Sequence, residues 1–307
     1  MQNSMIKPAY LLLAVAIVCI SCNQKKATDQ IDSLVVSQRL DKNGVTKVVA
    51  TCPKGTQMVG GGYAIIVGDN ITIRASYPVT RDSWEVDVES HEKENAEQGT
   101  MQVYVYFYKG IKPLGMQIKS EEATLNGPGP GVLNEYQLTA SSKPYATSVV
   151  TSGGFMIEPG FSKDDVYSLG SFPGIANKPG KEDNVEGWIN AFAVTQGKTV
   201  KVINYILCSN GTPMVGGNTP VFDQGTALVQ HNPVATSNNT FQLEGSKEGY
   251  FCTGGGYNLS GPKPLYPIGV LQSNAITKKG LFYGWQYSVN HTSTYEQHIY
   301  VLQLKMH

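Results

Sequence analysis

Runs of like charge are missing from this 307-residue chain, and charged residues of any kind are few, at 16%. The 24 basic side chains are matched by 24 acidic ones and form no cluster. Counterion release along a nucleic-acid backbone therefore has nothing to work with, and that class of partner is excluded. Helical periodicity is also lacking, since no segment carries a 3.6-residue apolar stripe over three turns. The five cysteines include no C-x-x-C pair, and zinc needs closer ligands than they offer. No cofactor and no metal site are expected. Neither G-x-S-x-G nor H-E-x-x-H occurs, and no Ser/His/Asp or Cys/His set stands in a plausible context. The chain is not expected to be an enzyme. A glycoside hydrolase remains an alternative, because that chemistry needs only two carboxylates at the right separation and leaves no motif.

What the chain has instead is punctuation and alternation. Glycine (33), proline (16) and tyrosine (17) favour turns and strands. A weak pattern occurs three times. A glycine run meets an aromatic residue at Gly60-Gly61-Gly62-Tyr63, Gly153-Gly154-Phe155 and Gly254-Gly255-Gly256-Tyr257. A serine follows: Ser76, Ser171 and Ser273. Then comes one of the three tryptophans, Trp84, Trp188 or Trp285, and each copy closes on a β-branched and aromatic stretch (Val103 to Tyr108, Val200 to Leu207, Ile299 to Leu304). Trp84, Val86 and Val88 fall on one face of a strand and Glu85, Asp87 and Glu89 on the other. Asn43-Gly44 predicts a hairpin turn between Val35 and Ala50. Asn126 to Gly131 predicts a loop.

These signals predict an all-β fold with three internal repeats, about 32–117, 118–219 and 220–307, in a single domain spanning 32–307. A four-stranded unit has one apolar face and nothing to lay it against. Three such faces turned inward share a core, so closure around a pseudo-threefold axis, a β-prism-like arrangement, is expected. β-Sandwich repeats are the alternative. The segment Cys52 to Tyr63 resembles bacterial secreted repeat modules of the form C-P-x-G followed by G-G-G-aromatic and a later tryptophan. More distantly the chain resembles the three-sheet prism of vitelline membrane outer layer protein I and accessory prism domains of some perforin-like bacterial proteins. Only the first copy keeps Cys-Pro; the second has Pro144 where the first has Cys52.

Lys7 precedes an apolar stretch of about 11 residues, Tyr10 to Ile20, which suits a secretory leader and is too short to span a bilayer. Residues 1–21 are read as a signal peptide. The run Cys19-Ile20-Ser21-Cys22, followed by polar Asn23 to Asp29, resembles the lipobox of bacterial lipoproteins, with Cys19 where that family usually has leucine. The resemblance implies cleavage before Cys22, a lipidated Cys22 thiol, and stable anchoring through several acyl chains. Residues 22–31 would be the tether. Losing Lys7 removes one of the 24 basic side chains and leaves a net charge of −1. Cys52, Cys208 and Cys252 then remain, enough for one disulfide of open pairing and one leftover thiol.

The glycine runs lack the following helix that a phosphate loop requires, so they are expected to serve tight turns or close approach between sheets. Tyr63, Trp84, Phe155, Trp188, Tyr257 and Trp285 are the expected repeat core, each indole N–H finding a partner. His291, His298 and Glu296 are read as an exposed hairpin, and Asp164-Asp165 and Lys181 to Glu186 as solvated loops. The second copy is longest between serine and tryptophan, about 16 residues against seven in the first. Loops vary on a shared scaffold, so Phe172, Asn177, Lys178, Lys181, Glu182 and Asp183 are the candidate ligand-binding residues. Tyr104 and Tyr106 are candidates for additional stacking area. The function expected is that of a non-catalytic binding module for glycan or another surface polymer, lipid-anchored at the bacterial outer membrane and facing periplasm or cell surface. A structural or partner-docking envelope protein is the alternative.

Overall fold

The computed structural model describes residues 31–66, 70–91, 97–110, 114–127, 134–141, 148–162, 164–175, 185–210, 228–236, 240–244, 250–260, 269–278, 281–290 and 295–305. The described residues are all-β. The first six strands are β1 (Ile31–Arg39), β2 (Asn43–Thr51), β3 (Gln57–Ile65), β4 (Ile71–Thr80), β5 (Ser83–His91) and β6 (Thr100–Tyr108). The next six are β7 (Met116–Asn126), β8 (Asn134–Ser141), β9 (Ser148–Ile157), β10 (Val166–Ile175), β11 (Val185–Val194) and β12 (Thr199–Asn210). The last are β13 (Leu228–Thr236), β14 (Thr240–Glu244), β15 (Tyr250–Ser260), β16 (Gly269–Lys278), β17 (Leu281–Asn290) and β18 (Tyr295–Lys305). The leader, Cys22 and the tether up to Gln30 lie outside the described residues, as does most of the 126–131 loop.

The strands form three antiparallel six-stranded sheets: β1-β6-β3-β16-β17-β14, β2-β5-β4-β9-β12-β7 and β13-β18-β15-β10-β11-β8. Sheets of about four strands, one per copy, were the expectation, and the difference is one of pairing. Each run of six strands gives its first, third and sixth to one sheet and its second, fourth and fifth to another. No run of six owns a sheet. The Asn43-Gly44 hairpin fails for the same reason. β1 pairs with β6 and β2 with β5, in different sheets, so residues 40–42 connect strands that are not hydrogen-bonded neighbours.

The three seams between runs are short and alike. Tyr63 lies opposite Ser273, Phe155 opposite Ser76 and Tyr257 opposite Ser171. Each seam thus sets a glycine-run aromatic against a repeated serine. The tryptophans pack from one sheet onto the next. A Cβ on Gly61 would lie 2.2 Å from the Trp84 ring, one on Gly153 2.3 Å from Trp188, and one on Gly255 2.3 Å from Trp285. Only glycine permits that approach. Gly61 belongs to the first sheet and Trp84 to the second; Gly153 and Trp188 carry the contact from second to third, and Gly255 and Trp285 from third back to first.

All pairings join an odd-numbered strand to an even-numbered one, so odd strands run one way and even strands the other. Ile31, where the described chain begins, therefore lies at the end where even strands finish. Odd strands finish at the opposite end, where residues 158–162 follow β9. Cys52, Cys208 and Cys252 are buried free thiols, so the disulfide allowed by their number is not formed. Burial pushes the Cys52 thiol up to about 12 and raises Cys208 and Cys252 as well.

Candidate functional site

The repeated core residues are inside. Trp84, Trp188 and Trp285 are at most 2% exposed, as are Tyr63, Phe155 and Tyr257. Each indole N–H donates to the serine of its own copy: Trp84 to Ser76 at 3.1 Å, Trp188 to Ser171 at 2.9 Å and Trp285 to Ser273 at 3.1 Å. A void of about 20 Å³ among these groups has room for a water molecule and no more.

The outward-facing side of each sheet repeats a second arrangement. An aromatic on the sixth strand of each run lies opposite the last glycine of the glycine run: Tyr104 opposite Gly62, Tyr205 opposite Gly154, Tyr300 opposite Gly256. Across the seam stands the residue after the serine, which is Asn274, Tyr77 or Phe172. Tyr205 stacks on Tyr77 with centroids 4.5 Å apart, and Tyr300 on Phe172 at 4.6 Å. Around these platforms the three sheets differ. In the first, amides dominate: Gln242 donates to Gln286 at 2.9 Å, Gln286 approaches Asn274 at 3.5 Å, and the Tyr104 hydroxyl donates to Gln102. In the third, Ile189 sits opposite Phe172.

The second sheet is the charged one. Tyr77 donates its hydroxyl to Glu85 Oε1 at 2.7 Å, and Lys47 Nζ lies 2.7 Å from Glu85 Oε1 and 3.4 Å from Asp87 Oδ2. Burial, and then the neighbouring Glu85 carboxylate, raise the Asp87 carboxyl, with Lys47 acting the other way. From Glu85 through Asp87 to Glu89 the carboxylates descend one face of β5, about 13 Å of strand. They lead into a cleft of about 300 Å³ walled by Arg74, Asp87, Glu89, Ile157, Glu158 and Phe161.

A β-bulge builds that cleft. Ile73 pairs with Val88 and Ala75 with Asp87, which leaves Arg74 as the extra residue between them. The bulge reverses the side to which the rest of β4 points, so Ile73 and Ser76 face inward while Tyr77 faces out. The Arg74 guanidinium donates through Nε and Nη2 to Glu89 Oε2, the former at 2.6 Å, and through Nη2 to the Phe161 carbonyl. His91 Nε2 lies 3.0 Å from the other Glu89 oxygen. Although Arg74 is only 7% exposed, its Nη1 has no hydrogen-bond partner among the described residues, and neither does the buried Asp87 Oδ1.

Of the candidate ligand residues in the second copy, only Phe172 is described, and it is 7% exposed beneath Tyr300. Asn177, Lys178, Lys181, Glu182 and Asp183 lie outside the described residues. Tyr106 is buried, and its hydroxyl accepts from the Ala275 amide at 2.8 Å, so it gives no surface area. Asp165 accepts from the Ser162 amide at 2.8 Å and pairs with Lys198 at 2.9 Å, which makes it a loop clip rather than a solvated carboxylate. His291 lies outside the described residues, and His298 stands on β18 opposite Asn258. Sequence reasoning missed Arg74. The signal lay in its offset, for the residue two before the repeated serine is Arg74, Leu169 and Leu271 in the three copies. The chain matches no protein-family model and no curated protein.

Proposed function

We propose that this chain is a lipid-anchored protein of the bacterial envelope whose three sheets close as a β-prism and whose second sheet binds glycan without chemistry. The observation that carries the reading is the partly exposed Tyr205 stacked on the buried Tyr77, beside the exposed Lys47 and the partly buried Asp87, with Glu85 buried beneath them. Aromatic rings cover the apolar face of a pyranose, and fixed charged groups beside them orient its hydroxyls. The large apolar side chains left exposed among the described residues, Val35, Val45, Val49, Ile66 and Val79, are spread over several elements and favour glycan over protein docking. The cycle of glycine and tryptophan contacts from sheet to sheet supports closure as a prism. A lipid on Cys22 would hold the Ile31 end towards the membrane and turn the cleft away from it, on a tether of at most about 30 Å.

The hydrolase reading draws on one observation, the raised carboxyl of Asp87 beside Glu85. Lys47 engages both carboxylates and the Tyr77 hydroxyl a third contact, which favours binding over proton transfer. The test is a glycan array probed with the soluble form from Asn23 onward, with Tyr205→Ala beside it. Specific binding that falls at least tenfold in the variant, with no reducing ends released from the bound glycan, is the expected result. An array without signal overturns the reading, and release of reducing ends replaces it with the hydrolase.

A further inference from the structure

The three bulges occupy the same place in the three copies. Arg74, Leu169 and Leu271 are each the unpaired extra residue of the fourth strand of their run. The positions facing them correspond too. Asp87, three residues after its tryptophan, matches Ala191 and Ser288, and Glu89, five after, matches Ala193 and Asn290. In the second copy the scaffold is therefore completed by Leu169, Ala191 and Ala193, all buried. The fold does not need an ion pair at this place. Burying Arg74 and Glu89 instead carries a desolvation cost that leucine and alanine in the same places do not.

The pair is also incomplete as a structural device. Leucine and alanine leave nothing unpaired, whereas Arg74 and Asp87, which line one cleft, hold a donor, Arg74 Nη1, and an acceptor, Asp87 Oδ1, beneath its surface without a partner among the described residues. Buried polar atoms are as a rule satisfied in folded proteins, and Ser90 Oγ, Asn190 Oδ1 and Thr253 Oγ1 are further buried atoms here without a partner among the described residues. A hydroxyl group answers both needs, accepting from the guanidinium and donating to the carboxylate. Val45, Ile157, Pro159 and Phe161 supply apolar walls for the carbon side of such a molecule. The charges on hand set its class. Three carboxylates, Asp87, Glu89 and Glu158, line the cleft against the one guanidinium. Arg74, Lys47 and Lys201 each already face a carboxylate, so among the described residues an anion entering here would meet no unengaged cation.

We infer that the cleft at the β4 bulge is the specificity subsite of the glycan-binding face, taking a neutral sugar unit whose hydroxyls meet Arg74 Nη1 and Asp87 Oδ1 as those two side chains turn into the cleft, and rejecting uronic and sulfated sugars. This rests on the glycan reading of the second sheet and narrows it to a ligand class. The Tyr77–Tyr205 platform provides stacking for the next unit along β5, and the cleft selects the unit at the end away from Ile31.

The experiment uses the soluble form from Asn23 onward on an array of neutral polysaccharides with uronic and sulfated ones beside them. The principal variant carries Arg74→Leu, Asp87→Ala and Glu89→Ala together, the side chains that the second copy already uses on the same backbone. A second variant, Val45→Trp, fills the cleft mouth from an exposed position opposite Glu89 and removes none of the charged groups. Neutral glycans bound by the unmodified protein and weakened at least tenfold by both variants, with thermal unfolding of the triple variant unchanged or later, is the expected result. If the triple variant is not folded, Val45→Trp decides alone. Neutral glycan bound equally by the variants, or a preference for the acidic polymers, overturns the subsite and leaves the glycan reading standing. No binding to any polymer overturns both.

Discussion

Inside and outside, the three copies have been treated differently. On the inner side each presents the same constellation: a glycine under a tryptophan whose indole N–H reaches the serine of its own copy. The three hydrogen bonds span only 2.9 to 3.1 Å. On the outer side the same backbone carries amides in the first sheet, a charged strip with a cleft in the second, and an aromatic pair beside isoleucine in the third. Packing constrains the inner side, because the glycines leave no room for even a methyl group. The outer side is free to diverge once the strand pairing is satisfied. Divergence towards buried charge, at a position that leucine fills elsewhere, marks the second sheet as the place where stability has been given up for something else.

The comparison can be broken at its most charged point. Arg74→Leu alone leaves Glu89 without its guanidinium in a mostly buried site, and a loss of about 3 kcal/mol in chemical denaturation is expected. The triple change to Leu, Ala and Ala should restore or exceed the original midpoint. If the single change is as harmless as the triple, Glu89 does not depend on Arg74 for its burial. On the inner side, Gly61→Ala, Gly153→Ala and Gly255→Ala should each cost up to about 3 kcal/mol, because the added carbon would sit well inside van der Waals contact with a buried indole. Their near equality is the sharper expectation. A glycine that tolerates alanine in one copy but not in the others would show that the copies are not packed alike.

The smallest effect concerns pH. The folded Asp87 carboxyl is raised by burial and then by Glu85, so the folded state holds its proton more tightly than the unfolded state does. Its ionisation therefore opposes folding. The penalty is absent below the unfolded pKa, grows as pH rises towards the folded one, and is complete above it. Asp87→Asn is expected to raise the melting temperature modestly at pH 7, with the gain shrinking as the buffer is taken down through the carboxylate range. A gain that grows on acidification would reverse the sign assigned to this group.

How much of this the sequence carried depends on the range of the interaction. Trp84, Trp188 and Trp285 are legible because spacing from a glycine run and a serine recurs along the chain, and the all-β character follows from alternation on strands such as 84–89. Pairing partners are not legible in the same way. Asn43-Gly44 signals a change of direction, but whether the flanking strands hydrogen-bond to one another is decided by β5 and β6, some fifty residues on. Arg74 was hidden by its bulge. Strict alternation puts Tyr77 on the same face as Ile71 and Ile73, whereas the extra residue turns Tyr77 outward and brings Ser76 in. Aligning the copies on their serines exposes Arg74 against Leu169 and Leu271. The segment 176–184 stands out by its length but lies outside the described residues, and its flanking residues Ile175 and Val185 lie at the end of the molecule where Ile31 emerges.

Hydroxyl-radical footprinting of the protein with and without saturating glycan compares the three outer faces in a single experiment, because Tyr104, Tyr205 and Tyr300 hold the same position in their copies and are all half-exposed. Protection of Tyr205 together with Phe161, with Tyr104 and Tyr300 labelled as before, is the predicted result. Equal protection of the three tyrosines, or protection confined to residues 176–184, would contradict the assignment of binding to the second sheet.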